Sequence, residues 1–205
     1  MKKDIAYYMR RLYRQKLTTT SGGNISTKKG NSIFITPSGI DKGEMQIEQI
    51  AEINQEGDII KSPYQLSTET PMHLSIYKSR PDVCAIVHAH PPYATAFASS
   101  SKKLDSNLTS EGRLILGEIA FAKYALMGTQ ELANIVAKSS EHSNVILMEN
   151  HGIIALGRNL LEAFDRLEVI EFTAKMNYIT ATLNIGKPLK QEQINEIDKM
   201  NSSSK

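Results

Sequence analysis

The chain has 205 residues, enough for one sizeable core, and Lys plus Arg outnumber Asp plus Glu by only 24 to 22. That near-neutral balance gives no electrostatic reason to expect nucleic acid or a membrane surface as partner, and no apolar run approaches the roughly 20 residues that span a bilayer. Cys84 is the one cysteine, which excludes an internal disulfide and a thiolate metal cluster.

The opening MKKDIAYYMRRLYRQKL is charged throughout and lacks the apolar block of a signal peptide, so a cytoplasmic globular protein is expected. Within it Ile5, Tyr8, Met9 and Leu12 fall at helical spacing and predict an amphipathic helix ending near Leu17. Thr18 to Ser26, polar and glycine-bearing, reads as a loop. Ser32 to Ile35 reads as a strand closed by the turn Thr36-Pro37-Ser38-Gly39. Ile50 to Asn54 and Ile59 to Lys61 flank Gln55-Glu56-Gly57-Asp58, a hairpin signal. Thr70-Pro71 opens a helix to about Lys78, because proline is tolerated in a first turn.

Val83 to Val87 is expected as a strand and Ala94 to Ser99 as a short helix. Gly128-Thr129 caps a helix carrying Leu132, Ile135 and Val136. Val145 to Met148 and Ile153 to Leu156 read as strands around Glu149-Asn150-His151-Gly152. Asn159 then caps a long helix with the apolar stripe Leu160, Phe164, Leu167, Ile170, Ala174 and Tyr178. Residues 1–190 are expected to form a single domain, and 191–205 a short helix and a frayed tail. Strands interleaved irregularly with helices indicate a layered α/β domain rather than a bundle.

The apolar run Ala85-Ile86-Val87 ends in His88-Ala89-His90. Side chains two apart on a strand share a face, with α-carbons about 6.6 Å apart. Two imidazoles so placed can converge on one ion at Zn–N distances of about 2.0–2.1 Å. Taken alone, the pair also fits a structural reading in which both rings hydrogen-bond nearby backbone. A catalytic divalent site usually has three protein ligands and a position left for substrate. His151, at a tight turn after an apolar strand, is the natural third, whereas His142 lies in a polar loop and reads as solvated. Glu69, at the mouth of the helix that Thr70 opens, is either a charge favoured by the helix dipole or a fourth, displaceable ligand. His73, one turn on, is expected to pack behind the ligands rather than to join them.

Three polar turns, Ser21-Gly22-Gly23-Asn24, Thr36-Pro37-Ser38-Gly39 and Ser67-Thr68, offer hydroxyl, amide and backbone N–H donors. Ser67 and Thr68 precede a helix, whose unsatisfied N–H groups favour an anion. No stretch fits a Walker A or dinucleotide fingerprint. An anion site at Ser67-Thr68 directly adjoining a metal ligand at Glu69 suits a small phosphorylated hydroxyketone.

In this order Gly23-Asn24-Ile25-Ser26, Thr36-Pro37-Ser38-Gly39, Ser67-Thr68-Glu69, His88-Ala89-His90 and Asn150-His151-Gly152 resemble the class II aldolase/adducin family over roughly Asp4 to Asn184, most closely its sugar-phosphate aldolases acting on L-fuculose 1-phosphate. The resemblance implies a three-layer α/β/α sandwich with a mixed, largely antiparallel central sheet, and a homotetramer with active sites between subunits. It implies Zn²⁺, or another divalent cation, held by His88, His90, His151 and Glu69, with Glu69 also the acid/base. Asn24, Ser38, Gly39, Ser67 and Thr68 would surround the phosphate. The implied activity is cleavage of a ketose 1-phosphate to dihydroxyacetone phosphate and a small aldehyde such as lactaldehyde. A pentulose-5-phosphate 4-epimerase and a noncatalytic oligomerisation module belong to the same family.

One departure stands out. The tyrosine that fuculose-phosphate enzymes are expected to use on the departing hydroxyl has no counterpart in Asn107 to Arg113, nor is there a tyrosine after Tyr178. Glu111, Tyr93 and Tyr124 are the available substitutes, and the role is left unassigned.

Overall fold

The computed structural model describes residues 1–203; Ser204 and Lys205, the end of the tail expected to fray, lie outside the described residues. Helix α1 (Lys2–Arg14) buries Ile5, Ala6, Met9 and Leu12. It stops three residues short of Leu17 because Lys16 turns left-handed, at φ 60°, and the Leu17 N–H closes on the Leu12 carbonyl. The chain then enters β1 (Asn24–Lys29), whose first three residues had read as loop. Their polarity hid a central strand: β1 lies between β2 (Ser32–Ile35) and β5 (Ala85–Ala89), antiparallel to both.

Strands β3 (Ala51–Ile53) and β4 (Ile59–Lys61) form the expected hairpin. Helix α2 (Thr70–Ser79) begins at Thr70-Pro71 as expected. Strand β5 starts two residues later than Val83 and ends at Ala89, followed by α3 (Pro92–Ala98). Helix α4 (Ser110–Leu116) and strand β6 (Ile119–Ala122) carried no strong local signal. Helix α5 (Gln130–Ser139), capped by the Thr129 hydroxyl, strands β7 (Val145–Met148) and β8 (Gly152–Gly157), and helix α6 (Leu160–Leu183) follow closely the expected positions. Asn159 accepts from the Glu162 N–H at the start of α6. Beyond Ala174 this helix leaves the core, so Tyr178, the last residue of the expected stripe, is 55% exposed. Helix α7 (Gln191–Ser203) is tied to α4 by a bidentate Arg113–Asp198 ion pair.

Among the described residues eight strands form one sheet in the order β4-β3-β2-β1-β5-β8-β7-β6, antiparallel except for the parallel pair β6–β7. Alternation along the strands gives two cores. Ile25, Val87, Ile153 and Ala155 face α1, α3, α4 and α6, while Ile86, Ile146, Ile154 and Leu156 face α2 and α5. The result is the expected three-layer α/β/α sandwich. Cross-strand register places Asn24, His88 and Ile154 side by side, with Ser26 beside Ile86, on the face covered by α2. That register brings β1 to the histidines.

Candidate metal centre

Three chain segments meet at the ends of β5 and β7. His88 lies within β5 and is fully buried, His90 follows its last residue, and His151 sits in the β7–β8 turn. The turn forms because Asn150 adopts the left-handed region at φ 55°, a conformation asparagine tolerates. Ring centroids are 4.8 Å apart for His88 and His90, 5.0 Å for His88 and His151, and 5.6 Å for His90 and His151. One nitrogen from each ring falls within 4.8 Å of the others. Gly152 makes the approach possible. A β-carbon there would meet His90 Cδ2 at 2.5 Å and the Ala89 carbonyl at 2.7 Å.

Glu69 enters from the opposite side. It occupies the cap position of α2 without capping it. Its Oε2 lies 3.1 Å from His88 Nε2 and its Oε1 3.1 Å from His151 Nε2, while Asn24 Nδ2 donates to Oε2 at 2.8 Å. Of the two sequence readings of Glu69, the dipole charge is therefore secondary, because the carboxylate faces imidazoles.

The donor set fits a divalent cation. His88 Nδ1 lies 2.8 Å from the Ile153 carbonyl, which can only accept, so Nδ1 carries the hydrogen and the neutral ring leaves Nε2 as a bare lone pair. Among the described residues His88 Nε2 and Glu69 Oε1 are both buried without a hydrogen-bond partner. Lone pairs of a ring and a carboxylate 3.1 Å apart repel unless a positive charge lies among them. Without the cation, protons fill that role. Burial disfavours a charged His88, yet the neighbouring Glu69 outweighs it and raises the His88 pKa. For Glu69 burial pulls upward, but His88 and His151 hold it far below the usual carboxylate range. His90 is pushed down to about 3 by burial and by its two histidine neighbours, so it is neutral.

The phosphate candidates are held together by backbone. Ser38 N–H donates to the Gln65 carbonyl and Pro37 pairs with Leu66, which sets the turn after β2 beside Ser67. Asn24 Nδ2 reaches Ser67 Oγ at 3.3 Å. Gly39, at φ +68°, faces open space, and Thr68 is exposed beside Gly128. Gly22 and Gly23 act differently: a β-carbon at Gly22 would lie 3.0 Å from His90 Nδ1, and one at Gly23 2.7 Å from the His88 carbonyl. They let the loop pack behind the histidine pair, and only Asn24 of that turn faces the carboxylate.

His142 is exposed and apart from the cluster, as expected. Tyr93 and Glu111 line one cleft of about 680 Å³ on the α6 side of the sheet, and Tyr124 is exposed beside Glu149, to whose carboxylate its N–H donates. A concavity of about 860 Å³ lies over β6 with Glu149 and Asn150 at its rim, and none of its lining belongs to the histidine–glutamate cluster. Sequence reading missed Lys42, which is 1% exposed and donates from Nζ to the Pro37 carbonyl at 2.5 Å. It staples the turn that carries Ser38 and Gly39, and burial lowers its pKa to about 8. A lone lysine in a polar stretch gives no signal of burial.

The family described as Class II Aldolase and Adducin N-terminal domain matches residues 3–178. An L-fuculose phosphate aldolase of Methanococcus maripaludis is 40% identical over 174 residues, spanning 85% of this chain and 94% of the relative. A 5-deoxy-D-ribulose 1-phosphate aldolase of Bacillus thuringiensis is 32% identical over 203 residues, spanning 97% and 93%. Among solved structures, an L-fuculose 1-phosphate aldolase superposes with a TM-score of 0.88 at 33% identity, covering 97% of this chain and 94% of that one.

Proposed function

The chain belongs to the class II aldolase and adducin family, and from that premise we propose that it is a metal-dependent lyase cleaving a ketose 1-phosphate, L-fuculose 1-phosphate or a close analogue, to dihydroxyacetone phosphate and a small aldehyde. The observation that carries this reading is the buried, unpartnered pair His88 Nε2 and Glu69 Oε1 among three converging imidazoles. His88, His90 and His151, with Glu69, would hold Zn²⁺ or a similar divalent cation. When bound, the cation supplies Lewis-acid stabilisation of the negative charge that bond cleavage leaves on the phosphate-bearing fragment.

The chain's own residues hold the phosphate and move one proton. Neutral imidazoles donate lone pairs without cancelling the ion's charge, so they leave its full field for substrate. Asn24, Ser38, Gly39, Ser67 and Thr68 offer the phosphate neutral donors from β1, the turn after β2 and the start of α2. Glu69, one residue beyond Thr68, lies between phosphate cradle and imidazoles. There it protonates the carbanionic carbon of the phosphate-bearing fragment, and removes the same proton in the condensation direction.

Homotetrameric assembly is part of the proposal. It is supported by Tyr124, Leu126 and Met127, each at least 60% exposed on the segment between β6 and α5 that touches Thr68. A cytoplasmic location is supported by the free Cys84; among the described residues no helix is long and apolar enough to cross a membrane.

Product analysis tests the reading. The chain loaded with Zn²⁺ is offered L-fuculose 1-phosphate, 5-deoxyribulose 1-phosphate and ribulose 5-phosphate. Dihydroxyacetone phosphate released from a ketose 1-phosphate is the expected result. Interconversion of pentulose 5-phosphates without fragments would make it an epimerase, and inertness with loaded metal would favour a noncatalytic module.

A further inference from the structure

Behind Glu69 a row of buried polar groups runs from β1 into α2. Tyr77 Oη lies 2.7 Å from Ser26 Oγ, Ser26 Oγ 2.7 Å from His73 Nδ1, His73 Nε2 2.5 Å from Asn24 Oδ1, and Asn24 Nδ2 2.8 Å from Glu69 Oε2. His73 and Ser26 have no solvent exposure, and Tyr77 and Asn24 have 3% each. Two periodicities build the row. Asn24 and Ser26, two apart on β1, share the face toward α2, while Glu69, His73 and Tyr77 recur every four residues along α2.

The proton positions follow from the acceptor at the end. An ionised carboxylate can only accept, so Asn24 must present its NH₂ to Glu69 and its oxygen to His73. His73 Nε2 must then carry the hydrogen. Burial lowers the His73 pKa to about 3, so the ring is neutral and Nδ1 is an acceptor. Ser26 spends its one hydroxyl hydrogen on Nδ1 and accepts from Tyr77, whose phenol burial keeps protonated. Every hydrogen bond in the row therefore points toward Glu69. Reversing any member would leave two donors or two acceptors face to face in a buried site.

We propose that His73 is a positioning residue for Glu69: by donating from Nε2 it locks the Asn24 amide in the one orientation that donates to the carboxylate. The same lock keeps Asn24 Nδ2 near Ser67 Oγ, at 3.3 Å. It thereby ties the phosphate side of the site to the acid/base side through one amide. This rests on the acid/base reading of Glu69 given above, and it extends that reading to a residue outside the substrate site.

Two measurements test it. In the native chain loaded with Zn²⁺, ¹⁵N NMR of the histidine rings should show His73 neutral with its hydrogen on Nε2. A hydrogen on Nδ1, or on both nitrogens, overturns the proposal, and this readout needs no variant to fold. The second compares His73→Gln, whose amide nitrogen reaches the place of Nε2, with His73→Asn, whose amide does not. At saturating metal, solvent-hydrogen exchange into dihydroxyacetone phosphate should stay close to the native rate in His73→Gln and fall about 10–100-fold in His73→Asn. Equal losses in both, or none in either, overturn it. Glu69→Gln in parallel separates the two readings. Unchanged exchange in Glu69→Gln sinks the acid/base role and the inference with it. Lost exchange there with native exchange in His73→Asn sinks the inference alone.

Discussion

In the proposed reaction Glu69 and its three imidazoles carry the chemistry, and each has a distinguishable signature. His90→Ala and His151→Ala should lower metal occupancy and abolish cleavage while the thermal transition stays cooperative; full turnover in either variant would remove that residue from the site. Glu69→Gln should keep the fold and much of the metal, and slow proton exchange on dihydroxyacetone phosphate by about 10²–10⁴-fold. Metal binding must displace the proton that Glu69 draws onto His88, whose pKa is raised. Affinity measured by competition with a chelator should therefore rise with pH through neutrality, with proton release visible in weakly buffered calorimetry. An affinity flat with pH would contradict that placement of the proton. At this scale the sequence was informative about the histidine cluster, because His88-Ala89-His90 and Asn150-His151-Gly152 are local patterns with a geometric meaning. The link from His73 to Asn24 was not legible, since the two are brought together by strand pairing and helix docking over 49 residues. Lys42 was equally hidden, its burial being decided by the turn it staples rather than by its neighbours in sequence.

Elements set how closely these side chains approach. Gly152 opens β8 where His90 and the Ala89 carbonyl leave no room for a β-carbon. Gly152→Ala should cost about 1–3 kcal/mol as overpacking, and should weaken metal binding along with stability. Asn159→Ala, just past the other end of β8, removes the cap of α6 and should cost about 1 kcal/mol in chemical denaturation with kcat unchanged. Loss of activity in the folded Asn159→Ala protein would show that α6 reports to the site in a way its packing does not suggest. The contrast between β2 and β1 shows what periodicity reveals. Ser32-Ile33-Phe34-Ile35 announces itself by composition, whereas Asn24-Ile25-Ser26 is mostly polar because His73 and Tyr77 of α2, with Glu69 at its cap position, come to meet it. The polar face that obscured the strand is the wall of the site.

For the whole molecule the sheet is a frame that brings β1, β5 and the β7–β8 turn to one place, and its stability depends on pH through groups buried there. His73 has a folded pKa of about 3, below the roughly 6.5 of an unfolded histidine. As pH falls through 6.5 the unfolded chain takes up that proton first, so this contribution is intact above about 6.5 and lost progressively toward 3. The thermal midpoint of the metal-free chain should fall over that window, and less steeply in His73→Gln; identical slopes would assign the acid sensitivity elsewhere. The layered architecture was legible from interleaved strands and helices. The strand order was not, because β1 pairs with β5 across some sixty residues, a distance no local pattern spans.

In the proposed reaction one divalent ion, held by three imidazoles and a carboxylate, is needed for cleavage of a ketose 1-phosphate. Turnover of L-fuculose 1-phosphate, followed as dihydroxyacetone phosphate while Zn²⁺ is titrated into stripped protein, tests it most directly. No release is expected from the stripped chain, and with added Zn²⁺ a linear rise that saturates at a single ion per chain. Undiminished release from stripped protein would contradict it.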